Sequence, residues 1–314
     1  MPAAEERIKA KAREIGFTKA GIARAERLDD EAQHLQEWLT RGYQGSMDWM
    51  SRKLEKRVDP REILPGASSI IAVAINYYAD IPHSQESGVG KISRYAWGDD
   101  YHDILRSKLK QLCTWMQAEY PAAATKPYVD TGPVMDKVWA QRAGIGWEGK
   151  HTNVITQDVG SWVFLGEVIT TLELTPDQPA IDHCGTCTLC LEACPTQAIV
   201  EPYVVDSNLC LSYLTIEHRG EINGNVRDQF EGWIYGCDIC QDVCPWNHKF
   251  AEETDEAGFH PREGNIAPRL EEWKQMNIEE FRTRFKGSPV KRTKLEGLVR
   301  NVSIVHGSTE KAAG

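Results

Sequence analysis

The stretch that decides the fold is CGTCTLCLEACP at residues 184–195, followed downstream by CDICQDVCP at residues 237–245. The first run has the spacing C-x2-C-x2-C-x3-C-P, and the second has C-x2-C-x3-C-P without an opening cysteine. In two-cluster bacterial ferredoxins, three cysteines of one run bind one four-iron four-sulfur cluster and the fourth binds the other. The spacing therefore predicts a ferredoxin-like module that carries two such clusters.

The ligand missing from the second run is predicted to be Cys210, which stands alone in the helix-like segment NLCLSYLTIEH (208–218). A pair of zinc sites is the alternative, but the doubled C-x3-C-P spacing favours clusters. Cys113, on a long predicted helix, is expected to be a buried small hydrophobe. The predicted ligand sets are Cys184, Cys187, Cys190 and Cys244 for cluster one, and Cys194, Cys210, Cys237 and Cys240 for cluster two.

Composition and charge limit the class to which the protein can belong. The chain has 314 residues, of which 41% are apolar and 26% charged, as expected of a soluble globular protein with room for more than one domain. No apolar run reaches the length of a membrane span and the N-terminus is charged, so we expect a cytoplasmic protein. The net charge of -10 argues against a general nucleic-acid binder, although it leaves room for a local basic patch.

Helical and strand-like periodicities alternate through the first half of the chain, which predicts an α+β fold. We expect a catalytic domain at 1–176, a two-cluster module at 177–255 and a short helical segment at 256–314. The string GIGWEG (144–149) matches a dinucleotide fingerprint only in spacing, because it follows a helix instead of a strand. A glycine turn that ends the helix and passes close to a ligand is the preferred interpretation.

Longer blocks resemble one family. They are VDTGPVMDKVWAQRAGIGWEGKHTN (129–153), SWVFLGE (161–167), YVVDSNLCLSYLTIEHRG (203–220) and IYGCDICQDVCPWN (234–247), together with the first cysteine run. They resemble epoxyqueuosine reductase, the cobalamin-dependent, two-cluster enzyme of the last step of queuosine synthesis in tRNA. The resemblance implies an N-terminal cobalamin-binding domain similar to that of reductive dehalogenases. Several relatives continue into a HEAT-like helical domain, whereas this chain ends soon after GLVRNVSIVHG (297–307).

The cobalamin contacts follow from that resemblance. Corrinoid proteins that ligate cobalt through histidine carry D-x-H-x-x-G, and the string at Asp100–Leu105 lacks the glycine. A protein histidine ligand is therefore not expected, and His102 is either a pocket residue or a solvated helix residue. The residues that the resemblance places at the cofactor are Arg57, Asp130, His151, Asn153, Ser212, Tyr213 and Asp238.

Removing an epoxide oxygen takes two electrons and two protons, so the site needs a proton donor. A carboxylic acid with a raised pKa is the natural choice. Asp130, in VDTGP, matches the family's proton donor. Asp136 is expected to be solvated on the next helix, and Lys137 to hold a phosphate or the substrate, or else to be an exposed helix lysine.

The most basic stretch is KGSPVKRTKLEGLVR (286–300), with five Lys and Arg against one Glu. In it, Lys291, Arg292 and Lys294 are candidates for holding the tRNA anticodon loop through its phosphates while the modified base enters the site. The other expected partner is a low-potential electron donor such as flavodoxin or ferredoxin, and we expect a monomer. Two alternatives stay open: a cobalamin and iron-sulfur reductase of small molecules, similar to a dehalogenase, and a non-catalytic electron carrier.

Overall fold

A computed structural model describes residues 3–313 of the chain and the side chains of residues 3–308. Residues 1 and 2, at the start of the predicted catalytic domain, and residue 314, at the end of the predicted helical segment, lie outside the described part. The helices are α1 Ala4–Ile15, α2 Asp29–Thr40, α3 Leu54–Val58, α4 Tyr101–Glu119, α5 Asp136–Arg142, α6 Leu189–Ala193, α7 Leu211–Ile216, α8 Gly224–Arg227, α9 Ile239–Asp242, α10 Pro245–Phe250, α11 Leu270–Lys274, α12 Ile278–Arg284 and α13 Lys294–Ala313. The strands are β1 Lys19–Arg24, β2 Ser69–Asn76, β3 Lys91–Ile92, β4 Thr125–Tyr128, β5 Trp147–Glu148, β6 Val154–Ile155, β7 Val163–Thr170, β8 Ile199–Glu201, β9 Val204–Val205 and β10 Trp233–Tyr235.

A four-stranded sheet in the order β1-β2-β7-β4 forms the centre of the N-terminal half, and all its neighbouring strands are antiparallel. Every residue of β2 is buried, because both faces of the sheet are covered. Ile71, Val73 and Ile75 pack in the same core as α1 and α4. The alternate residues Ile70, Ala72 and Ala74 pack with α5 on the other face. The result is a three-layer α/β/α arrangement.

A second core joins the cysteine-rich segment to both flanking regions. It contains Trp97 from the N-terminal region, Leu214 from α7 and Val302 from α13. Strand β10 also pairs in parallel with β3. The predicted boundaries at 176 and 255 remain predictions, and the packing that crosses them ties the three segments together.

The predicted α+β class is confirmed, as are the main helices and strands of the N-terminal half. The glycine string also behaves as the preferred interpretation requires. Gly144 ends α5 at a φ of 73°, where residues other than glycine are disfavoured. A Cβ on Gly146 would lie 2.3 Å from the carbonyl oxygen of Ile155, so the turn needs glycine to pass β6. Among the described residues, no helix is both long and apolar enough to span a bilayer.

Candidate active site

Asp130 lies just beyond the end of β4, in the loop that leads to α5. Its φ of 51° is in the left-handed region, an uncommon conformation for a residue other than glycine. Tyr101 donates a hydrogen bond from Oη to Oδ2 of Asp130 at 2.6 Å. The Asp130 side chain is 62% exposed to solvent. We call the region formed by Asp130 and its neighbours Tyr101, His102 and Lys137 the recess.

His102 bridges two carboxylates at the start of α4. Its Nδ1 lies 2.7 Å from Oδ1 of Asp100, and its Nε2 lies 3.2 Å from Oδ2 of Asp130. Asp100 also caps the helix by accepting the backbone N–H of His102. Lys291 reaches the other oxygen of Asp100 at 2.7 Å. A continuous polar chain therefore runs from Lys291 through Asp100 and His102 to Asp130.

The pKa of Asp130 in this polar chain differs from the raised value that was predicted for a proton donor. Burial alone would lower the pKa of His102, but hydrogen bonds to Asp100 and then to Asp130 outweigh it and raise the pKa to about 9. The surrounding protein disfavours the charge on Asp130, yet hydrogen bonds from His102 and Tyr101 lower the pKa of Asp130 below its usual value. At neutral pH the proton of this chain therefore resides on His102, beside a charged Asp130.

Asp136, expected on a solvated face, is instead turned inward, so that prediction is wrong. Its Oδ1 is buried without a hydrogen-bond donor in the described part of the chain, and the same is true of both carboxyl oxygens of Glu167. Glu167 is fully buried in the middle of β7, on the face that α5 covers. Burial raises the pKa of Asp136, and burial followed by the charge of Asp136 raises that of Glu167 well above its usual value. Both shifts favour a proton shared between the two carboxyls, because two neighbouring buried carboxylates repel each other.

Lys137 is exposed and projects from α5 toward the same recess. Its charge contributes to the lowered pKa of Asp130 and reaches the buried His151 and the thiol of Cys210. The structure thus brings Lys137 between the predicted proton donor and the second cysteine set.

His151 follows the glycine turn and has one ring nitrogen without a partner. The backbone N–H of Asn153 donates to Nδ1 of His151 at 3.1 Å, which leaves the ring proton on Nε2. That Nε2 is buried and has no acceptor among the described residues. Burial, followed by the charge of Lys137, lowers the pKa of His151 to about 4, so the ring is neutral. Arg57 likewise has a buried Nε for which the described residues supply no acceptor.

The remaining predicted cofactor residues lie in the cluster region. Tyr213 on α7 is buried, and its hydroxyl is bonded to the backbone N–H of Ser46 at 2.7 Å, while Ser212 is half-buried. Asp238, also predicted at the cofactor, has a fully buried side chain, and its contact with the cofactor stays a prediction. Its carboxylate accepts the backbone N–H of Arg94 at 2.9 Å and lies 3.0 Å from Nε2 of His83, so it anchors the fold.

The structure brings the eight cysteines of the module together in two groups. Burial and then the neighbouring thiols of Cys184, Cys187 and Cys244 raise the pKa of the Cys190 thiol to about 11. In the other group, burial and then Cys210, Cys194 and Cys190 raise the pKa of Cys240 well above its usual value, and burial and then Cys240 and Cys210 do the same for Cys237. These groupings agree with the predicted ligand sets, which stay predictions, and the influence of Cys190 on Cys240 indicates that the two sets are neighbours.

The described residues offer no group of three or more His, Cys, Asp or Glu side chains that could hold a single metal ion. The preference for clusters over zinc ions rests on the doubled C-x3-C-P spacing of the two cysteine runs.

The basic stretch lies beside the recess and is partly engaged by acidic residues. Arg292 pairs with Glu217 at 2.8 Å and its guanidinium lies 5.4 Å from the ring centroid of Trp49, which is itself 40% exposed. Arg292 and Lys291 each remain about half-exposed, and Lys294 is exposed at the start of α13. These side chains form a basic and aromatic rim, and Arg292 lies within electrostatic reach of Asp130.

The comparisons with known proteins agree with this geometry. Residues 57–131 match the family model described as "Epoxyqueuosine reductase QueG, DUF1730", and residues 183–247 match that of a 4Fe-4S double cluster binding domain. An epoxyqueuosine reductase of Synechocystis is 52% identical over 87% of this chain and 94% of its own length. The chain belongs to the epoxyqueuosine reductase family. Another epoxyqueuosine reductase, from Cellulophaga algicola, is 44% identical over 95% of this chain and 96% of its own.

Solved structures of epoxyqueuosine reductases share the whole fold. A selenomethionine-labelled example superposes with a TM-score of 0.92 at 33% identity, covering 98% of this chain and 82% of its own. A second, with an epoxyqueuosine-modified tRNA-Tyr stem loop, has a TM-score of 0.91 at the same identity and coverage. The predicted α+β architecture with a two-cluster module is thus that of the epoxyqueuosine reductase family.

Two features of the recess were not predicted from the sequence. The bridging role of His102 had a partial signal, since the acidic Asp100 stands two residues before it, but its second partner lies on another element. Glu167 had one signal, a charged residue in an otherwise apolar strand, which indicates a buried and functional or paired group. Both needed the folded chain to reveal their partners.

Proposed function

We propose that this chain reduces epoxyqueuosine to queuosine in tRNA, the last step of queuosine biosynthesis. In this reaction the epoxide takes up two electrons and two protons, both C–O bonds break, and an alkene and one water are formed. The observation that carries the proposal is the polar chain from Lys291 to Asp130, which joins the basic rim to a charged carboxylate at the mouth of the recess. This polar chain connects the surface that is proposed to hold the tRNA with the side chains that are proposed to deliver protons.

Two buried donors support the proposal that this part of the protein binds cobalamin, a large cofactor with many polar side groups. The buried Nε2–H of His151 and Nε–H of Arg57 are donors for which the described residues offer no acceptor, so they need one from a ligand. Because Nε2 of His151 carries the ring proton, it would donate a hydrogen bond instead of coordinating cobalt. Asn153, Ser212 and Tyr213 are proposed as further contacts. Cobalamin, when bound, supplies a low-potential cobalt centre as the reductant.

Asp130 and His102 are proposed to deliver the protons. His102 holds a proton at Nε2 beside Oδ2 of Asp130, and Asp100 fixes the orientation of the imidazole. Asp130, which is charged at neutral pH, first takes the proton from Nε2 of His102 and then passes it to the departing oxygen. The same relay, repeated after His102 regains a proton from solvent, serves the second proton transfer. The related Bacillus subtilis enzyme has been solved with its catalytic aspartate loop swung out of the active site. We propose that the loop of Asp130 corresponds to that segment.

Electrons are proposed to travel through the two cysteine sets. The first set lies near the exposed loop 181–189, and the second contains Cys210, which lies within electrostatic reach of Lys137 in the recess. Cluster one would therefore receive electrons from a low-potential carrier of the flavodoxin or ferredoxin class, and cluster two would pass them to the cofactor. The proposed domains are the catalytic part at 1–176, the cluster module at 177–255 and the helical segment at 256–314.

The tRNA is proposed to bind over the basic rim. A related enzyme has been solved with an epoxyqueuosine-modified stem loop, and here Lys137, Lys291, Arg292 and Lys294 would hold phosphates while the modified base enters the recess. The exposed Trp49 offers a surface on which a base can stack. We propose that the protein acts as a monomer in the cytoplasm, where its tRNA substrate resides.

The test uses anaerobically purified protein with both clusters, cobalamin and dithionite, and tRNA that carries epoxyqueuosine. Digestion of the tRNA and mass spectrometry of the nucleosides should show epoxyqueuosine losing one oxygen atom to give queuosine. Omission of cobalamin is the control. Protein that holds its clusters and cobalamin but leaves epoxyqueuosine unchanged would contradict the proposal.

A further inference from the structure

Exposed apolar side chains gather on one part of the cluster module. Of the six large apolar side chains that are exposed in the described part of the chain, four lie between residues 181 and 203. Ile181 is 71% exposed, Leu189 45%, and Val200 and Tyr203 41% each. Exposed apolar side chains that cluster mark contact surfaces more often than scattered ones do.

We call Ile181, Leu189, Val200 and Tyr203 the apolar surface; the first two belong to the segment that carries the first cysteines. Leu189 directly precedes Cys190, and Tyr203 donates a hydrogen bond to Asp182, the neighbour of Ile181. The backbone N–H of Tyr203 donates to the carbonyl oxygen of Lys150 at 3.0 Å, and the side chain of Lys150 in turn bonds to the loop of the first cysteine set.

The loop over this set is held rigidly from beneath. Lys150 is buried, and its Nζ donates to the carbonyl oxygens of Gly185 at 2.6 Å and Cys187 at 2.9 Å. A fixed loop with exposed apolar neighbours presents a preorganised surface to a partner, which lowers the cost of association.

The charge around the surface is mostly negative. No Lys or Arg occurs between Lys150 and Arg219, whereas nine Asp and Glu residues do. Glu192 and Asp182 are exposed beside the apolar surface. Arg41, which approaches from α2, is paired with Glu201 at 2.6 Å, and Lys150 is turned inward. An acidic rim of this kind repels tRNA and attracts a basic protein.

We propose that this surface is the docking site of a small one-electron carrier protein whose docking face is apolar at its centre and basic at its rim. The inference rests on the proposed function, since it supplies that reaction with its electrons. Electrons enter at the first cysteine set, next to the surface, while tRNA binds at the basic rim near Asp130. The two surfaces have no residue in common, so we expect that both partners can be bound together.

The probe for this surface is cytochrome c, a small carrier with a basic rim, which the pre-reduced holoenzyme can reduce by single electrons. We expect the wild type to bind it in titration calorimetry, and both binding and the rate of cluster reoxidation to fall as salt is added. The double variant Leu189→Ser, Val200→Ser should weaken binding roughly tenfold, as the loss of central apolar contacts does. Glu192→Lys should weaken it and flatten the salt dependence.

Matched controls keep the test specific. Ile278→Ser removes an apolar side chain with the same 41% exposure from α12, and Glu272→Lys reverses an exposed charge on α11; neither should change the binding of cytochrome c. Turnover driven by dithionite, which needs no docking, should be the same in the surface variants as in the wild type. An acidic ferredoxin should bind more weakly than cytochrome c.

Three outcomes overturn the docking proposal: unchanged binding in the surface variants, equal losses in the controls, or tighter binding of the acidic ferredoxin. Loss of dithionite-driven turnover in the surface variants would also overturn the docking proposal, because the loss of binding would then be due to damaged clusters and not to a lost docking surface. Failure of the wild type to form queuosine with dithionite would instead contradict the proposed function, and the calorimetry would still decide whether the surface binds a basic carrier.

Discussion

The Nε2 atom of His102 lies 3.2 Å from Oδ2 of Asp130, and this contact joins the first turn of α4 to the loop beyond β4. It places a protonated imidazole against the carboxylate that is proposed to deliver protons. Since each side chain stabilises the charge of the other, neither can be altered without changing the acidity of its partner.

The first prediction concerns Asp130. Asp130→Asn keeps the size of the side chain but cannot transfer a proton of suitable acidity, so turnover of epoxyqueuosine should fall roughly a hundredfold or more. Iron content, cobalamin uptake and tRNA affinity should stay near those of the wild type. Turnover is measured by mass spectrometry of the tRNA nucleosides, and full activity of the variant would show that another group delivers the proton.

The second prediction concerns the pH dependence that His102 imposes. Its pKa is raised to about 9, so turnover should hold through neutral pH and decline as pH rises past that value, when the imidazole loses its proton. In His102→Gln the maximal rate should be lower and this alkaline decline should be absent.

The same shift affects stability. The folded pKa of His102 exceeds the unfolded value of about 6.5. Its contribution is therefore complete below about pH 6.5 and is lost as pH rises through about 9. The difference in melting temperature between the wild type and His102→Gln should become smaller over this pH interval. An equal difference at all pH values would argue against a charged imidazole.

The third prediction concerns the buried carboxyl pair. Glu167→Leu leaves the Asp136 carboxyl buried without a donor, which should cost about 1–3 kcal/mol of stability. Glu167→Gln, which still offers an N–H, should cost much less. Because the folded pKa of Glu167 is raised, the wild type should lose stability as pH rises above the unfolded pKa of about 4.3, and the Gln variant should lose less. Melting curves of the holoprotein across pH provide the measurement.

The fourth prediction concerns the clusters. Anaerobically prepared protein should hold about eight iron and eight sulfide per chain, as two four-iron clusters require. Cys210→Ala should remove one cluster and leave about four iron, whereas Cys113→Ala, outside the module, should leave the iron content unchanged. A folded protein that contains zinc and no iron would contradict the ligand assignment.

The fifth prediction concerns tRNA. Arg292→Glu and Lys294→Glu should each weaken tRNA binding and reduce the salt slope by about one, as expected for the loss of one phosphate contact. Lys274→Glu, an exposed lysine on α11, is the matched control. Lys291→Glu should in addition alter the pH profile of turnover, because Lys291 bonds to Asp100 in the proton chain. Equal tRNA affinity in all four variants would place the tRNA elsewhere.

The sequence by itself determined the features whose information is local. The spacing of the two cysteine runs predicted a two-cluster module, because neighbouring thiols of one turn address one cluster. Hydrophobic periodicity predicted the helices and strands of the N-terminal half, and the glycines at 144–149 predicted the turn after α5.

Only the tertiary structure decided the chemistry of the recess. Asp136 lies on a short helix, and the sequence does not decide whether its side chain faces solvent. The pKa of its carboxyl is raised because the fold buries it near Glu167 in the central sheet. Likewise, the charge of Asp130 depends on His102 and Tyr101, which approach from α4. A pKa reflects burial and neighbours from distant parts of the chain, and those are fixed only when the layers of the fold come together.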